Sequence, residues 1–351
     1  MSEERFWRRS RVRRTAGWTA AAVAVAGGLF YLTGGYDAWQ RTRALDSVCE
    51  GDLAVPQVRA LFPGVDLESN APERDDRQVC RVRAWDDEES DAALVVVIKD
   101  ASARHASLTI DAQAAPLGYG WTGSFAFSPD VREDDRREAW VNLLVDCGKG
   151  SGGGFLVEAE AEIDGPGFTD PRARERLVAV ATETAARYAK RNDCAAVLGK
   201  PVTSVGVTTT KWDHKRLADA DGTCADVLPA ATAERWGIRT VVESRADRSP
   251  LEACTFGGLR GVPLYSLFAA YGPHAEEARS RFFGESYGLD GERDAPDGAY
   301  QAYAECPGAQ GEAFYTITAR DGVTLDHKGL RTALKTFAQR SSSRHGCGAL
   351  S

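Results

Sequence analysis

The chain is poor in the residues that most often carry chemistry. Its 351 residues include one methionine, five histidines, and 8 lysines against 35 arginines; the last bias suits a GC-rich genome and is silent on mechanism. The histidines (His105, His214, His274, His327 and His345) fall in no HExxH or other paired metal spacing, and read as surface residues. No two of the eight cysteines lie within four residues of each other, which excludes a CxxC redox motif and leaves no zinc-knuckle spacing. GKGSGGG (148–154) has its lysine before the glycines, whereas a phosphate loop needs it after them. Lys149 also stands where a nucleophile elbow needs a glycine before Ser151, so the segment reads as a hairpin connection. The acidic stretches DDEES (86–90) and DGERDAPDG (290–298) lack the EF-hand spacing and read as solvated loops. No metal or cofactor is therefore expected. A Ser–His–Asp triad stays open, because its members need not be close in sequence.

Composition is otherwise that of a globular protein, 43% apolar and 27% charged. Charge is unevenly spread. The first fifteen residues hold six arginines against two glutamates, so a total of −8 leaves about −12 on the remainder. AGWTAAAVAVAGGLFYLT (16–33) then runs for eighteen positions without a charge. A helix of that length spans roughly 27 Å, close to the hydrocarbon thickness of a bilayer. Trp18, Tyr36 and Trp39 stand where interfacial aromatics are favoured. The expected arrangement is a basic cytoplasmic tail (1–15), one transmembrane helix (16–35), and all the rest extracytoplasmic by the positive-inside rule. A cleaved signal peptide is the rival, since AVA (24–26) has the small-x-small form of a cleavage site; cleavage there would strand LFYL on the mature end.

CEGDLAVPQVRALFPGVDLES (49–69) and CADVLPAATAERWGIRTVVES (224–244) match without a gap, pairing Cys49 with Cys224, Leu61 with Trp236, and Glu68–Ser69 with Glu243–Ser244. A second cysteine follows 31 and 30 residues on, at Cys80 and Cys254. Phe155 and Phe314 each stand eight residues after a third cysteine, Cys147 and Cys306. The fourth, Cys194 and Cys347, each lie seventeen residues after a leucine of a closing helix. Conserved order and spacing of this kind within one chain is an internal repeat. The expected repeats are residues 45–198 and 223–351, joined by a linker (199–222); the wider stretch 195–222 carries VTSVGVTTT as a candidate strand.

Each repeat reads as α+β, a mostly antiparallel sheet packed with helices. Short helices are expected over 56–62, with Pro56 at the first position, and from Pro229 to Trp236, with Gly237 as a left-handed stop. ALVVVIK (93–99) reads as a central strand buried on both faces. FLVEAEAEI alternates, with Phe155, Val157, Ala159, Ala161 and Ile163 inward and Glu158, Glu160 and Glu162 toward water. Leu177, Ala181, Thr184 and Tyr188 form one stripe of a closing helix (172–191), and Leu330, Leu334 and Phe337 repeat it over 327–341. The second copy replaces part of the first copy's middle by a helix around 274–283. The repeated Glu–Ser pairs are expected to end a strand and begin a turn.

Outside the membrane the thiols are oxidised, and four per copy allow three connectivities, among which sequence alone does not choose. The pairing expected is first with second and third with fourth: Cys49–Cys80, Cys147–Cys194, Cys224–Cys254 and Cys306–Cys347. The pattern C-A-D-V-L, a short helix, then C-T-F at Cys254 resembles the small exported lipoprotein domains of unknown function common in actinobacteria. The first copy departs from it, with Arg-Val-Arg-Ala-Trp after Cys80, and the lipid-attachment cysteine is missing. The resemblance implies a secreted α+β module, supports the Cys224–Cys254 pairing, and brings no catalytic residues.

The acidic ectodomain disfavours nucleic acid and anionic wall polymers. Within it KWDHKR (211–216) is a local basic and aromatic cluster, read as solvated linker with an anion or partner contact as the rival. The function expected is that of a membrane-anchored extracytoplasmic binding or sensing protein, taking a protein or small ligand and without catalysis. The alternatives are a hydrolase-like extracytoplasmic enzyme with a scattered site, and a scaffold subunit of an envelope complex.

Overall fold

The computed structural model describes residues 40, 43–70, 77–85, 92–101, 114–127, 137–148, 153–207, 209, 213–282, 287–291 and 293–351. The expected tail and membrane helix (1–35), His105, DDEES, residues 149–152 and residues 211–212 lie outside these. Among the described residues no helix is long and apolar enough to cross a membrane.

The molecule is α+β, with two antiparallel sheets. The first holds β1 (Leu67–Asn70), β2 (Arg77–Ala84), β3 (Ala93–Asp100), β4 (Ala115–Pro116), β5 (Thr122–Phe127), β6 (Glu138–Asp146) and β7 (Gly154–Glu162), in the order β1-β2-β3-β7-β6-β5-β4. The second holds β8 (Lys215–Arg216), β9 (Thr240–Glu243), β10 (Leu251–Gly257), β11 (Pro263–Tyr271), β12 (Tyr300–Glu305) and β13 (Glu312–Ala319), in the order β8-β9-β10-β11-β13-β12. Five strands correspond: β1-β2-β3-β7-β6 in one copy, β9-β10-β11-β13-β12 in the other. Between the third and fourth of these in chain order, the first copy inserts β4 and β5. The second inserts a helix, Pro273–Arg281, where one was expected.

Short helices α1 (Val55–Leu61) and α3 (Ala230–Arg235) open the two copies, and α2 (Pro171–Arg191) and α5 (His327–His345) close them; the inserted helix is α4. Sequence dictates the ends of the long helices. The Asp170 side chain accepts from the backbone N–H of Arg172 at 3.0 Å with Pro171 in the first turn, and Asp326 accepts from Gly329 at 3.0 Å. Such caps contribute about 1 kcal/mol each. Leu177, Val178 and Ala181 of α2 are fully buried against Val141, Leu143, Val157 and Ala159 of the sheet. Leu330, Leu334 and Phe337 of α5 are buried with Ala302, Tyr315 and Ile317 in the same way.

The four disulfides are the four expected pairs, with Cα separations of 5.6, 4.9, 5.0 and 4.0 Å for Cys49–Cys80, Cys147–Cys194, Cys224–Cys254 and Cys306–Cys347. In each copy one bridge joins the opening segment to the second of the five corresponding strands, β2 or β10. The other joins the end of the closing helix to the end of the strand beneath it. Four bridged pairs are consistent with an oxidising, extracytoplasmic compartment.

Several positions that match in sequence do not match in space. Val145 pairs with Phe155, whereas Ala304, at the equivalent distance before its cysteine, pairs with Ala313. The second hairpin is thus one residue shorter, and because side chains alternate, the slip turns Phe314 to the opposite face from Phe155. Phe155 joins the core under α2, while Phe314 packs beneath α4 with Ala275 and Ala278. The Glu–Ser pairs also differ. Glu243 ends β9 opposite Cys254, as expected, but Glu68 lies within β1 opposite Arg83 and forms a surface ion pair with it. β3 is less buried than expected, with Ala93, Val95 and Val97 half-exposed. Glu158 is drawn out of water by the buried Lys99, 2.5 Å away.

The linker is not free: the described part of VTSVGVTTT forms no strand, and the strand the linker does carry is β8, farther along at Lys215–Arg216. Lys200 donates its backbone N–H to Tyr119 at 2.8 Å, and its carbonyl accepts from Trp121 Nε1 at 2.9 Å. Pro201 then offers no N–H with which to extend a ladder. For the 41-residue separation of Cys306 and Cys347, chain-entropy arithmetic assigns their bridge about 4 kcal/mol. Replacing both by serine is expected to lower the unfolding free energy by that order in urea titration, with the α5 amides losing most hydrogen-exchange protection. A loss near zero would show that the bridge does not restrain the helix.

Candidate functional site

The two copies meet on the outer face of the first sheet, opposite α2. Strand register sets one row across that face: Thr122, Leu144, Leu156 and Lys99. Leu144 and Leu156 pack on Ala309 of the second copy, making a small apolar contact of their own. The approach is close because two glycines permit it. A Cβ on Gly308 (φ 62°) would meet the Asp146 carboxylate, and one on Gly154 (φ 141°) would meet the Val145 carbonyl and Ala309 Cβ. Arg245 Nη2 adds a hydrogen bond to the Pro116 carbonyl at 3.2 Å.

At one end of this row the copies leave a cleft of about 260 Å³. The first copy supplies Trp121, Thr122, Leu144 and Asp146, with Val197 and Leu198 from its last residues; the second supplies Arg248, Ala309 and Gln310. Asp146 Oδ1 accepts from the Gly148 N–H at 2.8 Å. Arg248 Nε donates to the Arg344 carbonyl at 3.0 Å. Both side chains reach solvent, and they do not pair with each other.

At the other end lies His274, fully buried at the start of α4, with neither ring nitrogen hydrogen-bonded. Burial, with the Lys99 charge nearby, pushes its pKa down to about 3. The imidazole is neutral here and acts as a packing group. This corrects the expectation of surface histidines, as does His345.

His345 belongs to a second buried set. Its Nε2 lies 3.0 Å from Glu252 Oε1 and its Nδ1 lies 2.5 Å from Gln310 Oε1, while the ring stacks on Tyr271 with centroids 3.6 Å apart. Ser341 Oγ donates to Glu252 Oε2 at 2.8 Å and contacts the Tyr271 hydroxyl, and Arg344 pairs with Glu252. Tyr315 continues the network to Ser342 at 2.7 Å. Serine, histidine and carboxylate are therefore together, but not as a triad. Ser341 bonds to the carboxylate rather than the imidazole, and serine, histidine and glutamate are all closed to solvent. Burial raises the Glu252 carboxyl, but His345 and Arg344 outweigh it and hold it below the usual carboxylate range.

The other residues singled out by sequence have plain roles. Among the described part of KWDHKR, Lys215 pairs with Glu243 at 2.7 Å and also with Asp221, and Arg216 pairs with Asp219 at 2.7 Å, so these cations are neutralised within the chain. Asp294 pairs with Arg331 at 2.8 Å, and Asp297 caps the Ala299 N–H at 3.1 Å. His327 Nδ1 meets the Tyr300 hydroxyl at 2.9 Å and His214 is exposed beside Gly261. No group of three His, Cys, Asp or Glu suited to a metal occurs among the described residues. β6 and β7, which flank GKGSGGG, are adjacent antiparallel strands; residues 149–152 between them lie outside the described part. Sequence missed the cleft because its residues come from β5, β6, the segment after α2, the β9–β10 connection and the β12–β13 turn.

No protein-family model matches the chain, and no curated protein matches it. Among solved structures, that of DynU16, a protein in the dynemicin biosynthetic locus, matches over 86% of this chain and 94% of that one, at 12% identity and a TM-score of 0.15. A likeness so low carries no argument.

The two buried sets predict different acid sensitivities. Unfolded, His274 takes up a proton near its ordinary pKa of 6.5; folded, it does so only near 3. The unfolded chain thus binds more protons in that window, so stability is full above 6.5 and falls toward 3 by up to about 1.4 kcal/mol per pH unit. Glu252, held low, adds stability that is present above its ordinary 4.5 and lost on further acidification. Urea titrations of His274→Phe are expected to show a flatter profile from pH 6 to 4, and of Glu252→Gln a flatter one only below that. An unchanged slope in His274→Phe would contradict the burial of a neutral ring.

Proposed function

We propose that this chain is an extracytoplasmic binding or sensing protein, anchored in the membrane by the helix at residues 16–35 and without catalysis of its own. Its ligand site is the cleft shared by the two repeats. One observation carries this reading: in the cleft a carboxylate, Asp146, and a guanidinium, Arg248, stand open and unpaired with each other. By contrast, the groups that could form a nucleophilic set, Ser341, His345 and Glu252, are committed to one another and closed to solvent. A site built from both copies also gives a reason for the duplication, since neither copy alone has both charges. The six arginines before residue 15 support the orientation with the tail inside.

Two measurements test the reading. Protease added to intact spheroplasts should remove the bulk of the chain while sparing a fragment of the size of the anchor; full protection would overturn the topology. Fragment screening by NMR on the full-length chain in detergent should shift amides of Thr122, Leu144 and Ala309 together. Shifts confined to a single copy, away from the cleft, would overturn the site.

A further inference from the structure

Resting on the cleft as the ligand site, we infer that its ligand is a small zwitterion, an amino acid or short peptide with free amino and carboxyl ends. The cleft presents opposite charges on opposite copies, and these do not meet as an ion pair. Each is held in place by one hydrogen bond to backbone that leaves its outer part available. Asp146 Oδ1 is occupied by the Gly148 N–H at 2.8 Å, and Gly308 packs against the carboxylate. Arg248 is tethered through Nε to the Arg344 carbonyl at 3.0 Å, which leaves the two terminal amino groups of the guanidinium as a free fork, the geometry that takes a carboxylate on two bonds. A ligand carrying an ammonium and a carboxylate would engage both ends at once, whereas a single-charge ligand would gain only one of the two charge-assisted contacts.

Size and lining narrow the class. The cleft, about 260 Å³, falls below the roughly 300–1,000 Å³ of sites for drug-sized molecules. Among the described residues the rest of the lining includes Thr122, Leu144, Ala309 and Leu198, a surface for a short apolar or hydroxyl side chain, and no third charge.

Calorimetric titration of the full-length chain with L-alanyl-L-alanine, its N-acetyl form and its C-terminal amide tests the inference. The zwitterion should bind at one site per chain, and each capped form should bind at least about tenfold more weakly. Asp146→Asn, which keeps the acceptor for Gly148, should remove the discrimination against the acetylated peptide, and Arg248→Gln that against the amide, with melting temperatures unchanged. Capped forms binding as tightly as the zwitterion would overturn the inference while leaving the cleft as a ligand site. So would no peptide binding while NMR fragments still shift Thr122 and Ala309. Zwitterion binding untouched by both variants would overturn the cleft itself.

Discussion

Each half of the molecule depends on one long helix pressed flat on an antiparallel sheet and fastened at its far end by a cystine. The apolar stripe of α2 or α5 is buried on the sheet beneath it, and the cystine removes the freedom of the helix end to fray. Once the helix is fixed, one face of each sheet is closed, and everything distinctive happens on the other. On the first sheet that face receives the second copy. On the second sheet it receives α4, under which Phe314, Leu251 and Ala270 are buried.

The same constraint decides how charge is used. Ionisable groups drawn into the second copy are matched: Glu252 has His345, Arg344 and Ser341 around it, and Glu243 accepts from the backbone N–H groups of Asp221 and Cys224. At the contact between copies, Lys99 is matched by Glu158, and His274 avoids the need for a partner by staying neutral. Opposite charges left open in the cleft stand out against this economy.

Much of the architecture was legible because it rests on local periodicity and on cysteine order. The stripe through Leu177 and Ala181, the alternation from Phe155 to Ile163, and the helix substituted around 274–283 are all where the pattern places them. What escaped was register. Equal spacing from a cysteine suggested that Phe155 and Phe314 correspond, but a hairpin shorter by one residue turned the second to the other face, which no count along the chain can reveal. Burial of His274 and His345 escaped for a related reason, since each is enclosed by segments far away in sequence. The cleft is the extreme case. Asp146 and Arg248 are about a hundred residues apart, and only the docking of Ala309 on Leu144 brings them to one site.

One cystine-fastened fold occurs twice in this chain, and no bridge joins the copies. Peptide mapping of the unreduced, alkylated protein by mass spectrometry tests it most directly. Cys147–Cys194 and Cys306–Cys347 should appear as linked peptides beside Cys49–Cys80 and Cys224–Cys254, with no cysteine alkylated. A bridge between a cysteine before residue 199 and one after residue 222, or alkylated cysteines in the native protein, would contradict the account.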